Sequence, residues 1–145
     1  VGSISDFTSG TFLPVIGDST TSNATRLIYC SGKIYHDLVA ERARLNETTT
    51  AIVRVERLYP LPVAQMEVEA KKHPNANLLW VQDEPANQGA WPHVALSTTE
   101  VIGGTAVDGR VLRRISRRAS ASPATGNHHL HEEEAKALMY EAFTR

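Results

Sequence analysis

What most constrains this 145-residue sequence is a repeated alternation of short apolar runs with stretches of helical period. Thr25-Arg26-Leu27-Ile28-Tyr29-Cys30 has an uninterrupted apolar core, as a strand covered on both faces does. Ile34, Tyr35, Leu38, Val39 and Leu45 then share one side at helical spacing, predicting a helix to about Asn46 with Ser31 as its N-cap. Residues 51–55 read as a second strand, broken by Leu58-Tyr59-Pro60-Leu61-Pro62, because closely spaced prolines forbid both ladder and helix interior. Pro62 suits the first turn of a helix carrying Val63, Met66 and Ala70, which ends before His73-Pro74. Residues 76–81 read as a third strand, 90–102 as a helix stopped by Gly103-Gly104, and 111–115 as a fourth strand with a half-exposed edge. Ala135, Leu138, Met139, Ala142 and Phe143 mark a final amphipathic helix, with Glu132 to Glu134 near the positive end of its dipole.

Strand–helix alternation with short links implies parallel pairing through right-handed crossovers. The expected fold is an α/β three-layer sandwich with a mostly parallel sheet, spanning residues 25–145. Residues 1–24 are rich in Ser, Thr, Gly and Asp and show no sustained period. They read as an irregular N-terminal arm or interdomain linker that lays Phe7, Phe12, Leu13, Val15 and Ile16 on a body, with Gly17-Asp18-Ser19 as a turn. Opening on Val1 without Met, the chain reads as a piece of a longer polypeptide.

A domain of this length buries roughly 70% of its unfolded surface and needs no disulfide or metal to hold a core. Net charge is −1, from 15 basic and 16 acidic side chains, so nothing draws the chain electrostatically to nucleic acid or to a membrane surface. No run approaches the roughly 20 apolar residues of a membrane helix. The single cysteine, Cys30, lies in an apolar run and reads as a buried, inert thiol; the absence of a disulfide framework favours a reducing, cytoplasmic setting.

Several stretches carry candidate chemistry. Ser31-Gly32-Lys33 follows a strand and opens a helix, where backbone N–H groups could hold a phosphate, but it lacks the P-loop pattern. Asp83 and Glu84 lie at a strand's carboxyl end, the usual location of chemistry in α/β folds. Adjacent residues project differently, however, so a rigid turn at an interface fits them better than a converging acid–base pair. Asn87 is placed to cap the next helix, Gln88 follows it, and Trp80 and Trp91 anchor either side of the turn. His128, His129 and His131 do not have the i, i+4 spacing of helical metal ligands. Arg113, Arg114, Arg117 and Arg118 could hold an anion or an acidic partner surface. Ser120 and Ser122 lack a nucleophile's Gly-x-Ser-x-Gly context and belong to a small-residue loop suited to close packing against another element or subunit. No complete active site emerges from these residues. A stand-alone module binding a nucleotide or anion remains open alongside a fragment of a larger enzyme.

Four stretches, taken together and in order, resemble a known family. They are Cys30-Ser31-Gly32-Lys33-Ile34-Tyr35, residues 51–62 (AIVRVERLYPLP), residues 82–91 (QDEPANQGAW) and residues 119–126 (ASASPATG). They resemble the C-terminal domain of the thiamine-diphosphate-dependent component of 2-oxoglutarate dehydrogenase, and Ile115-Ser116-Arg117-Arg118 leans toward its actinobacterial multifunctional branch. The resemblance spans roughly residues 6 to 145 and implies a transketolase-type C-terminal domain. It also implies an enzyme that decarboxylates 2-oxoglutarate and passes succinyl to the lipoyl arm of a succinyltransferase component. Thiamine diphosphate and Mg²⁺ would be bound outside this domain, which would help shape a homodimer; no catalytic residue is expected here. The matching domain of a pyruvate or branched-chain 2-oxo acid dehydrogenase is the near alternative.

The resemblance further implies an AMP or acetyl-CoA effector site drawing on Thr11 to Pro14 and Arg57 to Gln65. The sequence departs from that pattern. A Lys and a Ser of the arm appear as Thr11 and Pro14, a Gln is replaced by Arg57, and paired arginines by Ala64 and Gln65. Each lost arginine removes a charge-assisted phosphate contact of about 1.5–3 kcal/mol, so weak or absent acetyl-CoA binding is expected.

Overall fold

The apolar runs become the central strands of a mixed α/β domain. The computed structural model describes residue 8, residues 10–102 and residues 106–144. In chain order its elements are β1 (Val15–Ile16), β2 (Arg26–Cys30), α1 (Ile34–Arg44), β3 (Thr50–Val55), α2 (Val63–Lys72), β4 (Asn77–Pro85), α3 (Trp91–Ile102), β5 (Ala106–Val107), β6 (Arg110–Arg117) and α4 (His128–Thr144). The strands form one six-stranded sheet in the order β1-β3-β2-β4-β6-β5. β3, β2, β4 and β6 run parallel, while the two-residue β1 and β5 are antiparallel to their neighbours.

Strand alternation sorts the core into two clusters. Leu27, Tyr29, Val53, Leu78 and Trp80 pack with Met66 and Ala70 of α2 and Val94 of α3. Ile28, Cys30, Ile52, Leu79 and Val81 pack with Ile34 and Leu38 of α1 and Leu138, Ala142 and Phe143 of α4. Residues one apart on a strand face opposite sides, which is why both sets are apolar and the strands read as continuous runs. The Tyr29 hydroxyl, wholly buried, donates to Met66 O at 2.7 Å, so its burial leaves no unpaired donor. Cys30 is also fully buried, and burial pushes its thiol up to about 12, as expected of an inert cysteine.

Several boundaries differ from the sequence reading. Ser31 does not cap α1: Gly32 (φ +75°) turns the chain first, and Lys33 takes the N-cap position without a side-chain hydrogen bond. At the other end Asn46 (φ 51°) ends the helix in the left-handed region, with Glu47 N bonding back to Arg42 O. β4 runs four residues beyond Val81, through the acidic pair to Pro85. A register irregularity between Val81 and Pro85 admits the proline, which pairs with Arg117 as the strand's last residue.

Both antiparallel edge strands escaped the sequence reading, because two residues carry no period. β5 and β6 are joined by Asp108 (φ 53°) and Gly109 (φ 72°), the backbone of a two-residue hairpin turn. Asp-Gly is the signal that could have announced it. Of the arm's apolar residues, Val15 packs against the core, whereas Phe12 and Leu13 stand 70% and 52% exposed rather than covering the body. Phe7 and the Gly103-Gly104 helix stop lie outside the described residues.

Asp18, read as a turn residue, is an anchor. Its carboxylate, 5% exposed, accepts from Ile52 N (2.8 Å), Thr20 N and the Thr20 hydroxyl, and pairs with Arg42 of α1. Just beyond the two-residue β1, it thus continues that strand's role along β3. Arg42 also donates to Thr50 O at 3.1 Å, tying the arm, α1 and β3 together.

Candidate functional site

The carboxyl ends of β4 and β6 lead into the two loops richest in candidate residues, and one buried side chain organises the first of them. Gln82 is 3% exposed. Its Oε1 accepts from the Trp80 indole N–H at 3.1 Å and from Trp91 N at 2.8 Å. Its Nε2 donates to Gln88 O at 2.7 Å, with further contacts to Pro85 O (3.1 Å) and Glu84 O (3.3 Å). A side-chain amide offers two donors and an acceptor with two lone pairs, and here both ends are used. Gln82 therefore folds the turn beneath itself and caps the start of α3 from across it, the role expected of Asn87. The sequence reading passed over it because a lone glutamine carries no chemical signature.

Gly89 completes the turn. Its φ is +64°, and an added Cβ would lie 2.9 Å from both Glu84 Cβ and Oε2. The left-handed backbone and the close approach of Glu84 independently require glycine.

Asn87 instead binds the second loop. Its Nδ2 donates to Ser120 O at 2.9 Å while Ser120 N donates to its Oδ1 at 3.0 Å, and Gln88 Nε2 adds a bond to the same carbonyl at 2.9 Å. The Ser120 hydroxyl accepts from Ser122 N, and the Ser122 hydroxyl donates to Ala124 O, so both serines shape the loop's own backbone. Arg117, whose side chain is 9% exposed, braces the loops from below. It donates to Asp83 O (2.6 Å), Thr125 Oγ1 (3.2 Å) and Pro123 O (3.2 Å) and lies 3.6 Å from Glu134 of α4. The Arg114 guanidinium sits over the Trp91 ring, 5.7 Å from its centroid. Asp83, Asn87, Gln88, Trp91, Ser120 and the Arg117 brace are thus brought into one structure. Asp83 and Glu84 remain exposed and separate in role: the Asp83 carboxylate sits 3.9 Å from Arg117 and Glu84 covers Gly89.

The arm and the turn after β3 also meet. Pro14 O accepts from both Glu56 N (2.9 Å) and Arg57 N (3.2 Å), and Arg57 Nε donates to Pro60 O at 3.2 Å. His93 of α3 donates from Nε2 to Leu58 O at 2.7 Å and faces the Tyr59 ring at 6.0 Å. Arg57 therefore spends one donor on its own turn. Thr11 and Gln65 are exposed, and among the described residues no hydrogen bond joins either to Arg57.

Lys33 points into solvent and pairs with Asp37 at 2.8 Å, its ammonium held charged above its ordinary pKa chiefly by that hydrogen bond. His128, His129 and His131 are exposed, with His128 3.5 Å from Glu132. Among the described residues no group of three or more His, Cys, Asp or Glu could hold a metal ion, and no helix is long and apolar enough to cross a membrane. These loops can recognise and pack; they present no nucleophile beside a base and no donor set for a metal.

Residues 1–143 match the family described as 2-oxoglutarate dehydrogenase C-terminal. The chain belongs to that family. It is 44% identical over 149 residues to the 2-oxoglutarate dehydrogenase E1 component of Cupriavidus necator, covering all of this chain and 15% of that protein. It is 38% identical over 151 residues to a multifunctional 2-oxoglutarate metabolism enzyme of Mycobacterium sp. (strain JLS), covering 99% of this chain and 12% of the relative. A mitochondrial 2-oxoglutarate dehydrogenase of Caenorhabditis briggsae is 36% identical over 97% of this chain and 14% of its own length. The chain therefore spans only 12–15% of these relatives.

Proposed function

We propose that this chain is the C-terminal structural and regulatory domain of a thiamine-diphosphate-dependent enzyme that oxidatively decarboxylates 2-oxoglutarate and transfers succinyl to a lipoyl arm. The observation that carries the reading is the family match across residues 1–143, joined to relatives named for 2-oxoglutarate. In this reading residues 25–145 form a three-layer, transketolase-type domain, supported by the two core clusters on opposite strand faces. Residues 1–24 are the arm linking it to the rest of the polypeptide. Thiamine diphosphate supplies the electron sink for decarboxylation. In this reading thiamine diphosphate and Mg²⁺ are held by parts of the polypeptide outside this domain. The enzyme is a cytoplasmic homodimer working with a lipoyl-bearing succinyltransferase. The loop pair at Asn87, Gln88 and Ser120 serves as a rigid packing surface in it.

The test is turnover by the full-length polypeptide with thiamine diphosphate and Mg²⁺, comparing 2-oxoglutarate with pyruvate and a branched-chain 2-oxo acid. Preference for either of the latter would overturn the substrate assignment. Activity from the 145-residue chain alone would overturn its non-catalytic role.

At the arm, Thr11, Arg57 and Gln65 form at most a weak adenine-effector site. Thr11 and Gln65 are uncharged and exposed, and Arg57 is partly engaged by Pro60 O. Calorimetric titration of the full-length protein with acetyl-CoA is expected to show no binding in the micromolar range; micromolar affinity would refute this.

A further inference from the structure

The outer edge of β6 is open. Among the described residues, β5 pairs only with Arg110 and Val111, leaving the remainder of the eight-residue strand without a neighbour on that side. The strand's direction of bonding can be read from both ends. Val107 and Arg110 close the two-residue hairpin and so bond each other, whereas Arg117 O accepts from Ala86 N on the β4 side. By strand alternation, the backbone N–H and C=O groups of Leu112, Arg114 and Ser116 point outward. Side-chain cover is missing as well: Val111 is 67% exposed, and Arg113 and Arg114 are exposed on opposite faces of the strand. Parallel strands are ordinarily covered on both faces, so this edge departs from the rest of the sheet.

Charge selects the occupant. Arg113, Arg114 and Arg118 are exposed, and none enters an ion pair among the described residues. A second copy docking by antiparallel β6–β6 pairing would set these arginines against one another, which is destabilising across a ladder. We propose that the β6 edge receives an extended acidic segment of a partner protein as an added strand. Its backbone would bond to Leu112, Arg114 and Ser116, and its carboxylates would meet Arg113, Arg114 and Arg118. Main-chain pairing would supply binding; the flanking guanidiniums would select acidic over basic sequences and make the affinity fall with salt.

Hydrogen exchange on the full-length polypeptide carrying this chain tests the proposal. The Glu–Val and Lys–Val probes are octapeptides of Glu–Glu–Val–Val and Lys–Lys–Val–Val repeats, which present charge on both faces of an added strand. The Glu–Val peptide should slow exchange across residues 112–116 in a salt-sensitive way, and the Lys–Val peptide should not. Reversing two charges that lie clear of the core, Arg113→Glu with Arg118→Glu, should weaken the acidic peptide by about tenfold or more and favour the basic one. Equal response to both peptides would overturn the proposal, as would binding that leaves residues 112–116 unprotected. Protection already complete without peptide, or protection that disappears on dilution as a dimer parts, would overturn it too.

Discussion

A buried glutamine can organise more structure than the charged residues around it, because every one of its polar atoms must be satisfied once water is gone. Gln82 meets that demand by bonding the ends of the loop it lies under. Replacing it with methionine of similar length leaves the Trp80 indole N–H and the Trp91 amide without partners. Gln82→Met should therefore cost about 1–3 kcal/mol in urea unfolding and speed amide exchange at Trp91. Unchanged stability would show that water or another group fills the role. Gly89 carries a separate constraint. Gly89→Ala puts a side chain on a left-handed backbone and within 2.9 Å of Glu84 Cβ, so it should lose about 1–2 kcal/mol by the same measurement.

At the scale of elements, the least periodic segment is tied down by the most specific contacts. The arm is joined to β3 by Pro14 O and by the Asp18 carboxylate, and to α1 through Arg42. Burial, the largest single influence on Asp18, raises its pKa, but the hydrogen bonds from Thr20, Ile52 and Arg42 together outweigh it and hold it below 3.8. Because the folded value is depressed, the stabilisation is complete above the unfolded value and is lost as pH falls through the lower folded one. Asp18→Ala should cost about 3 kcal/mol at neutral pH, the scale of breaking a buried pair. Below pH 3.8 the difference from the parent should narrow as acid titrates the carboxylate, measured by denaturant unfolding across pH. A pH-independent difference would mean that packing, not charge, holds the arm.

For the whole molecule, the carboxyl edge of the sheet is a braced surface. Trp91 joins that edge to the core: it packs against the cluster under α2 and α3, and Arg114 lies over its outer ring. Trp91→Ala should lower stability by roughly 2 kcal/mol, less than a fully buried aromatic would, and, under the proposed function, should weaken assembly before it alters thiamine chemistry. Thermal melting and sedimentation of the full-length enzyme, alongside decarboxylation rates, check this. Loss of decarboxylation with melting and assembly intact would place Trp91 in the chemistry instead.

The sequence by itself determined the strand–helix alternation and the parallel central strands, because a strand buried on both faces must be apolar throughout and its helices must show one apolar stripe. The family was legible only as a resemblance carried by residues 30–35, 51–62, 82–91 and 119–126. Residues 27–30, 51–55 and 78–81 announced themselves in that way. Only the tertiary structure decided what the polar residues do. Ser31 lost the cap to Lys33 because Gly32 turns the chain first, and Asn87 left α3 to reach Ser120. Gln82 and Asp18 became anchors through partners that are distant in sequence, nine residues away for Trp91 and 34 for Ile52. Apolar burial is a property of pattern and survives many arrangements. A hydrogen bond requires two particular atoms within about 3 Å, and that proximity arises only when the chain has folded.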